Sequence, residues 1–200
     1  MKQLCGHIAI IGRPNVGKST LMNELIGFKV SAIANKPQTT RHNIRGLLTE
    51  EHYQIIFVDT PGMHRTSKSL LNKTINMEAV AALEGVDAVV MLVEAMRWTD
   101  EDDLVLKRLG HVTCPVFLLA NKVDRVEKKE KLLTWLPTIL QKYPFKEIFP
   151  LSATKGTNLA ALKAALIKTL PEQDWIYPED DVTDQSTRFI ASELIREQLM

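Results

Sequence analysis

The run "GRPNVGKST" sets Gly12, Gly17, Lys18 and Ser19 at the spacing G-x-x-x-x-G-K-[ST]. Each residue type has a physical reason to be there. The two glycines let the backbone wrap closely around a phosphate, and the loop N–H groups with the following helix N-terminus offer donors and positive potential. Lys18 can reach the β- and γ-phosphates of a nucleotide, and Ser19 can ligate Mg²⁺. The spacing predicts a phosphate-binding loop.

A second cluster selects the base. Asn121, Lys122 and Asp124 of "NKVD" follow the apolar run "PVFLLA". A carboxylate at Asp124 can accept from both the N1–H and the N2 amine of guanine. Adenine lacks that pair of donors and would leave the charge unsatisfied. Asn121 can tie this loop to the phosphate loop, and the Lys122 stem can cover the base. The backbone of "LSAT", carrying Ser152, Ala153 and Thr154, can meet guanine O6. In "DTPG", Asp59 ends an apolar strand where a carboxylate can act on Mg²⁺, and the Gly62 N–H can touch a γ-phosphate. A threonine hydroxyl of "KPQTTRHN" completes the metal shell in this reading, Thr40 by preference and Thr39 as the alternate.

These groups need strands that end beside one another. "HIAIIG", "YQIIFVDT", "DAVVMLVEA", "PVFLLANK" and "EIFPLSA" are short apolar runs that read as buried parallel strands. "NIRGLLTEEHYQIIF" reads as two strands joined by a polar turn at Glu50–His52, an antiparallel edge. Helical spacing appears in "KSTLMNELIG", "LLNKTINMEAVAALEG", "WTDEDDLVLKRLG" with Thr99 as N-cap, and "NLAALKAALIKTLP". The expected fold is a three-layer α/β domain of the P-loop NTPase, Ras-like type. Its sheet has six mostly parallel strands and one antiparallel edge strand, with ligands at the strands' carboxyl ends. Beyond Pro171, "PEQDWIYPEDDVTDQS" reads as a linker and "TRFIASELIREQLM" as a further helix with an apolar stripe.

The 200 residues carry a net charge of +1, which gives no global pointer to nucleic acid. Residues 1–75 hold 10 Lys/Arg against 4 Asp/Glu, so the N-terminal part is the basic one. Cys5 and Cys114 are too far apart for metal-ligand spacing and read as small buried thiols of a reduced, intracellular protein. No run approaches the roughly 20 apolar residues of a membrane span, and no signal-peptide pattern opens the chain. A cytoplasmic protein is expected.

Together, "GRPNVGKSTLMN", "QTTRHNIRG", "DTPGMH", "NKVD" and "PEDDVTDQSTRFIASELIREQL" resemble the Era family of bacterial GTPases, of the TrmE–Era–Der type. The resemblance runs over the whole chain, and its last stretch is the most specific part. It implies a conformational switch that hydrolyses GTP to GDP and phosphate with Mg²⁺, acting in assembly of the small ribosomal subunit. It also implies 16S rRNA as a partner through a C-terminal KH domain, and peripheral contact with the inner membrane. A monomer is expected. No GXXG loop follows residue 185, where the family carries its RNA clamp. The chain therefore reads as a GTPase domain (1–171), a linker (172–184) and the first helix of a truncated KH-type domain (185–200).

The resemblance implies nucleotide contacts from Gly12, Asn15, Val16, Gly17, Lys18, Ser19, Thr20, Asp59, Thr60, Pro61, Gly62, Asn121, Lys122, Asp124, Ser152, Ala153 and Thr154. It implies metal contacts from Ser19, Thr40 and Asp59, and catalytic parts for Lys18, Asn15, Thr40 and Gly62. Met63 stands where related enzymes place a water-orienting glutamine. Three substitutes are open: His64, switch backbone groups, or a K⁺ ion held by Asn15. The rival reading of function is a nucleotide-dependent binding module with negligible hydrolysis.

Overall fold

The computed structural model describes residues 2–33, 43–60 and 81–199. Six strands form one sheet: β1 (Leu4–Ile11), β2 (Ile44–Glu50), β3 (Tyr53–Asp59), β4 (Ala88–Glu94), β5 (Val116–Asn121) and β6 (Glu147–Pro150). The spatial order is β2-β3-β1-β4-β5-β6. All neighbours are parallel except β2 and β3, which pair antiparallel across the Glu51–His52 turn. That is the architecture expected from the apolar runs.

Among the described residues the helices are α1 (Lys18–Ile26), α2 (Asp100–Arg108), α3 (Glu130–Leu140), α4 (Leu159–Ile167) and α5 (Thr187–Leu199). Strand alternation sends side chains to two cores. Ile8, Ile10, Phe57, Val90 and Leu119 pack with Leu21 and Met22 of α1 and Leu162 and Leu166 of α4. Ala9, Ile11, Val89, Met91 and Leu118 pack with Val105 of α2 and Ile139 of α3. The inner strands β3, β4 and β5 are covered on both faces and run nearly apolar throughout, whereas edge strand β2 exposes Arg45 and Glu50. The chain goes one way from β1 to β3 and the other way to β4. The carboxyl end of β1 is therefore a topological switch point, where open α/β sheets bind ligands.

Thr99 precedes α2 as expected, and its N–H and Oγ both donate to the Asp102 carboxylate, at 2.9 and 2.8 Å. Helix α3 is not among the helices read from sequence. Pro137 lies inside it, where the missing N–H and the ring normally break a helix. The helix persists because Leu132 and Ile139 are buried, with Trp135 and Leu136 packed beside them. Most of the "LLNKTINMEAVAALEG" helix lies outside the described residues. Cys5 is buried as expected, whereas Cys114 is only half-buried, because it sits in the loop entering β5.

The stretch read as a linker lies against the sheet. Trp175 and Tyr177 cover an apolar patch made by Cys5, Leu47 and Ile56. The buried Gln54 side chain grips the backbone there. Its Oε1 accepts from the N–H groups of Ile176 and Tyr177, both at 3.0 Å, and its Nε2 donates to the Tyr177 carbonyl at 2.9 Å. Further on, the Leu47 N–H of edge strand β2 donates to the Val182 carbonyl. Helix α5 then packs Phe189 and Ile190 on the larger core, and its Glu197 carboxylate accepts from Lys29 and from the Ile33 N–H. No described helix is long and apolar enough to cross a membrane.

Candidate nucleotide site

The loop between β1 and α1 is shaped by its glycines. Gly12 has φ +153°, and a Cβ there would lie 2.6 Å from the Leu92 carbonyl oxygen. Gly17 has φ +104°, and a Cβ there would lie 2.4 Å from Asn121 Nδ2. Both contacts are closer than a methyl group tolerates. Lys18 opens α1, with its Nζ 3.1 Å from the carbonyl oxygens of Gly12 and of Arg13. Burial lowers its pKa to about 8, against the opposing pull of Asp59. An anionic phosphate beside the ammonium would raise it again.

Asn121 ends β5 and joins three loops. Its Nδ2 donates to the Val16 carbonyl at 2.8 Å, and its Oδ1 accepts from the N–H groups of Lys122 and Ala153, at 2.8 and 3.0 Å. One side chain thus binds the phosphate loop to both base-side loops. Lys122 has φ +67°, and its Nζ donates to the Asn15 carbonyl at 2.7 Å, so its stem spans between the loops. Asp124 is exposed on a single helical turn, and Ser152 Oγ donates to its Oδ1 at 2.6 Å. That hydrogen bond is the chief reason its pKa is held below the ordinary carboxylate value. Asn15, Gly17, Thr20, Asn121, Lys122, Asp124, Ala153 and Thr154 line one cleft of about 170 Å³.

On the other side of Lys18, Ser19 Oγ donates to Asp59 Oδ2 at 2.7 Å. Asp59 is fully buried at the end of β3. A serine oxygen and a carboxylate are hard oxygen donors suited to Mg²⁺. No group of three or more His, Cys, Asp or Glu that could hold a metal occurs among the described residues. Mg²⁺ needs none, since it takes one or two carboxylates and fills its shell with water and phosphate oxygens. The residues present fit that ion. Thr60 turns inward, its Oγ donating to the Ile10 carbonyl at 2.8 Å, so the hydroxyl clips β3 to β1. Thr39, Thr40, Pro61, Gly62, Met63 and His64 lie outside the described residues.

The structure also brings together residues that motif reading passes over. Arg13 is buried, and its Nε donates to Asp102 at 3.2 Å and its Nη2 to Glu94 at 3.1 Å. Glu94 also lies 3.8 Å from Lys122 Nζ. Burial pushes Glu94 up, but the Arg13 hydrogen bond and the nearby charges of Lys122, Arg13 and Arg97 outweigh it and hold the carboxyl low. Asp102 goes the other way: burial raises it, and Thr99 and Arg13 offset only part of the rise. No signal in one sequence pairs Arg13 with residues 81 and 89 positions away.

A family model described as 50S ribosome-binding GTPase matches residues 7–122, more than half of the chain. The chain belongs to that family. Within this GTPase family its resemblance is to the Era members. It is 50% identical over 196 residues to the GTPase Era of Pseudomonas entomophila, covering 98% of this chain and 65% of that one. The chain thus spans slightly less than two thirds of that curated relative. Era in complex with MgGDPNP and a 16S ribosomal RNA fragment superposes with a TM-score of 0.93 at 37% identity, over 98% of this chain and 67% of that one. A variant of Aquifex aeolicus Era bound to GDP and AlF4⁻ gives 0.92 at 37% identity, over 99% and 67%. The fold of this family member, with its six strands and single antiparallel edge, is the one its motifs predict.

Proposed function

We propose that this GTPase-family chain binds GTP and hydrolyses it to GDP and phosphate as a conformational switch. The observation that carries the reading is the Asn121 side chain. By holding Val16, Lys122 and Ala153 at once, it makes phosphate loop and base cleft one site, with Asp124 open to a guanine edge. Lys18 and the loop amides meet phosphate oxygens whose charge spreads during phosphoryl transfer. Ser19, Asp59 and Thr40 are the residues assigned to Mg²⁺. When bound, the ion neutralises phosphate charge. Gly62 reads the γ-phosphate, backbone groups place the attacking water, and Met63 adds no chemistry. Asn15, exposed on the loop's outer rim, is assigned to K⁺.

The relatives extend the reading. The neighbour complexed with MgGDPNP and 16S rRNA supports a role in small-subunit assembly. Residues 1–171 are assigned to the GTPase domain, 172–184 to the connection and 185–200 to the first helix of an RNA-binding domain. The proposed setting is the cytoplasm, with peripheral contact at the inner membrane.

The test is nucleotide binding followed by single-turnover hydrolysis. GDP should bind at least about 10⁴-fold more tightly than ADP. Asp124→Asn, which exchanges one acceptor for a donor, should shift preference to XDP. Retained GDP preference in that variant would remove the argument from Asp124. Hydrolysis should run faster in K⁺ than in Na⁺, and Asn15→Ala should abolish the difference. Equal rates for the wild-type chain would rule out the K⁺ assignment, and no hydrolysis in either salt would favour a pure binding module.

A further inference from the structure

Ser31 belongs to no motif, yet it is 2% exposed and its hydroxyl donates to Asp59 Oδ2 at 3.2 Å. Ser19, in the first turn of α1, donates to the same oxygen at 2.7 Å. Ser31 is itself fixed by Asn23 of α1. Asn23 Oδ1 accepts from the N–H groups of Val30 and Ser31, both at 3.1 Å, and its Nδ2 donates to the Ser31 carbonyl at 2.8 Å. Asn23 is buried too. One side chain from the helix that begins with Lys18 therefore clamps both sides of the peptide unit carrying Ser31.

We propose that Ser31, clamped by Asn23, is a positioning residue for Mg²⁺: it locks the Asp59 carboxylate that orients the Ser19 hydroxyl. This rests on the assignment of Ser19 and Asp59 to Mg²⁺ above. The physical argument concerns rotation. A carboxylate held through one hydroxyl can turn about its Cβ–Cγ bond. Two donors arriving at one oxygen from separate elements, α1 and the loop after it, fix that oxygen in place. With Oδ2 fixed, the Ser19 proton stays directed at Asp59, the orientation in which Ser19 Oγ could serve a cation as ligand. Hydrogen-bond partners of metal-orienting groups commonly matter about 10–100-fold in metal affinity.

The experiment measures release of fluorescently labelled GDP from the 200-residue chain across a Mg²⁺ titration, with EDTA as the metal-free limit. Wild type should release GDP slowly in Mg²⁺ and fast in EDTA. Ser31→Ala should raise the Mg²⁺ concentration for half-maximal retention about tenfold, while release in EDTA stays within about twofold of wild type. Ser31→Cys, nearly isosteric with a weak S–H donor, should fall between them. Asn23→Ala should shift the midpoint in the same direction. A Ser31→Ala midpoint equal to wild type overturns the proposal. So does equal acceleration with and without Mg²⁺, which would mark Ser31 as a structural support for the loop alone. If wild-type release ignores Mg²⁺ altogether, the metal assignment of Ser19 and Asp59 falls, and the proposal falls with it.

Discussion

Replacing Arg13 with alanine should destabilise the fold in a pH-dependent way. Arg13 is 7% exposed and Asp102 fully buried, so the pair sits largely out of water. Deleting one partner of a buried pair typically costs about 3–5 kcal/mol, because the other charge is left uncompensated. Two features place this case near 3 kcal/mol. Glu94 keeps Lys122 and Arg97 within 3.8 Å, and Asp102 keeps both donors from Thr99. For a domain of this size about 3 kcal/mol lowers Tm by roughly 6–12 °C.

The sign of the pH effect follows from Asp102. Its folded-state pKa is already raised by burial, and removing the guanidinium takes away a charge that lowers it. A raised carboxyl pKa means the folded state binds the proton more readily than the unfolded chain. The penalty is therefore full above the folded-state pKa and fades as pH falls through it toward about 3.9, the unfolded value. Urea unfolding of wild type, Arg13→Ala, Asp102→Asn and the double variant, from pH 7.5 down to pH 5, measures both effects. The double variant should lose less than the sum of the singles by at least about 1 kcal/mol. Additive losses, or an Arg13→Ala cost below about 1 kcal/mol at pH 7.5, would refute the buried-pair argument.

Two further outcomes follow from the same geometry. Gly17→Ala should weaken GDP binding roughly 30-fold or more, since the new methyl meets Asn121 Nδ2 and the Asn121–Val16 bond is worth about 1–3 kcal/mol with strain at positive φ added; titration calorimetry giving an affinity within threefold of wild type would contradict it. Gln54→Ala leaves the Ile176 and Tyr177 amides without the acceptor they now share. It should cost about 1–3 kcal/mol and speed hydrogen exchange at those two amides ahead of the sheet, and unchanged protection there would show that the segment is held by Trp175 and Tyr177 alone.

Elements whose signal is local could be read from the chain itself. The inner strands are apolar runs with a turn or a motif beside them, and Thr99 announces α2 three residues ahead of its carboxylate partner. The glycine loop was equally plain, because the close approaches of Gly12 to Leu92 and of Gly17 to Asn121 leave no room for a Cβ. Helix α3 was hidden by Pro137, whose local penalty is outweighed by burial of Leu132 and Ile139. The Arg13–Glu94–Asp102 cluster and the Asn23–Ser31–Asp59 clamp were hidden for another reason. A buried arginine or serine has the same letter as a solvated one, and only the assembled sheet brings its partner near. In the segment after Pro171 the prolines and acids signal a connector, and composition gives no hint that Trp175 and Tyr177 pack on the sheet.

The grip of Gln54 on residues 176 and 177 also sets a timetable for synthesis. The chain leaves the ribosome from its N-terminus, so β1, β2 and β3 emerge long before the segment that closes their outer face. The Cys5 N–H waits for the Pro171 carbonyl, and the Cys5 carbonyl for the Gln173 amide. About 120 residues separate the end of β3 from Tyr177, roughly 6–24 s of translation at about 5–20 residues per second. For that interval the patch of Cys5, Leu47 and Ile56 lacks the cover that Trp175 and Tyr177 give it in the finished fold.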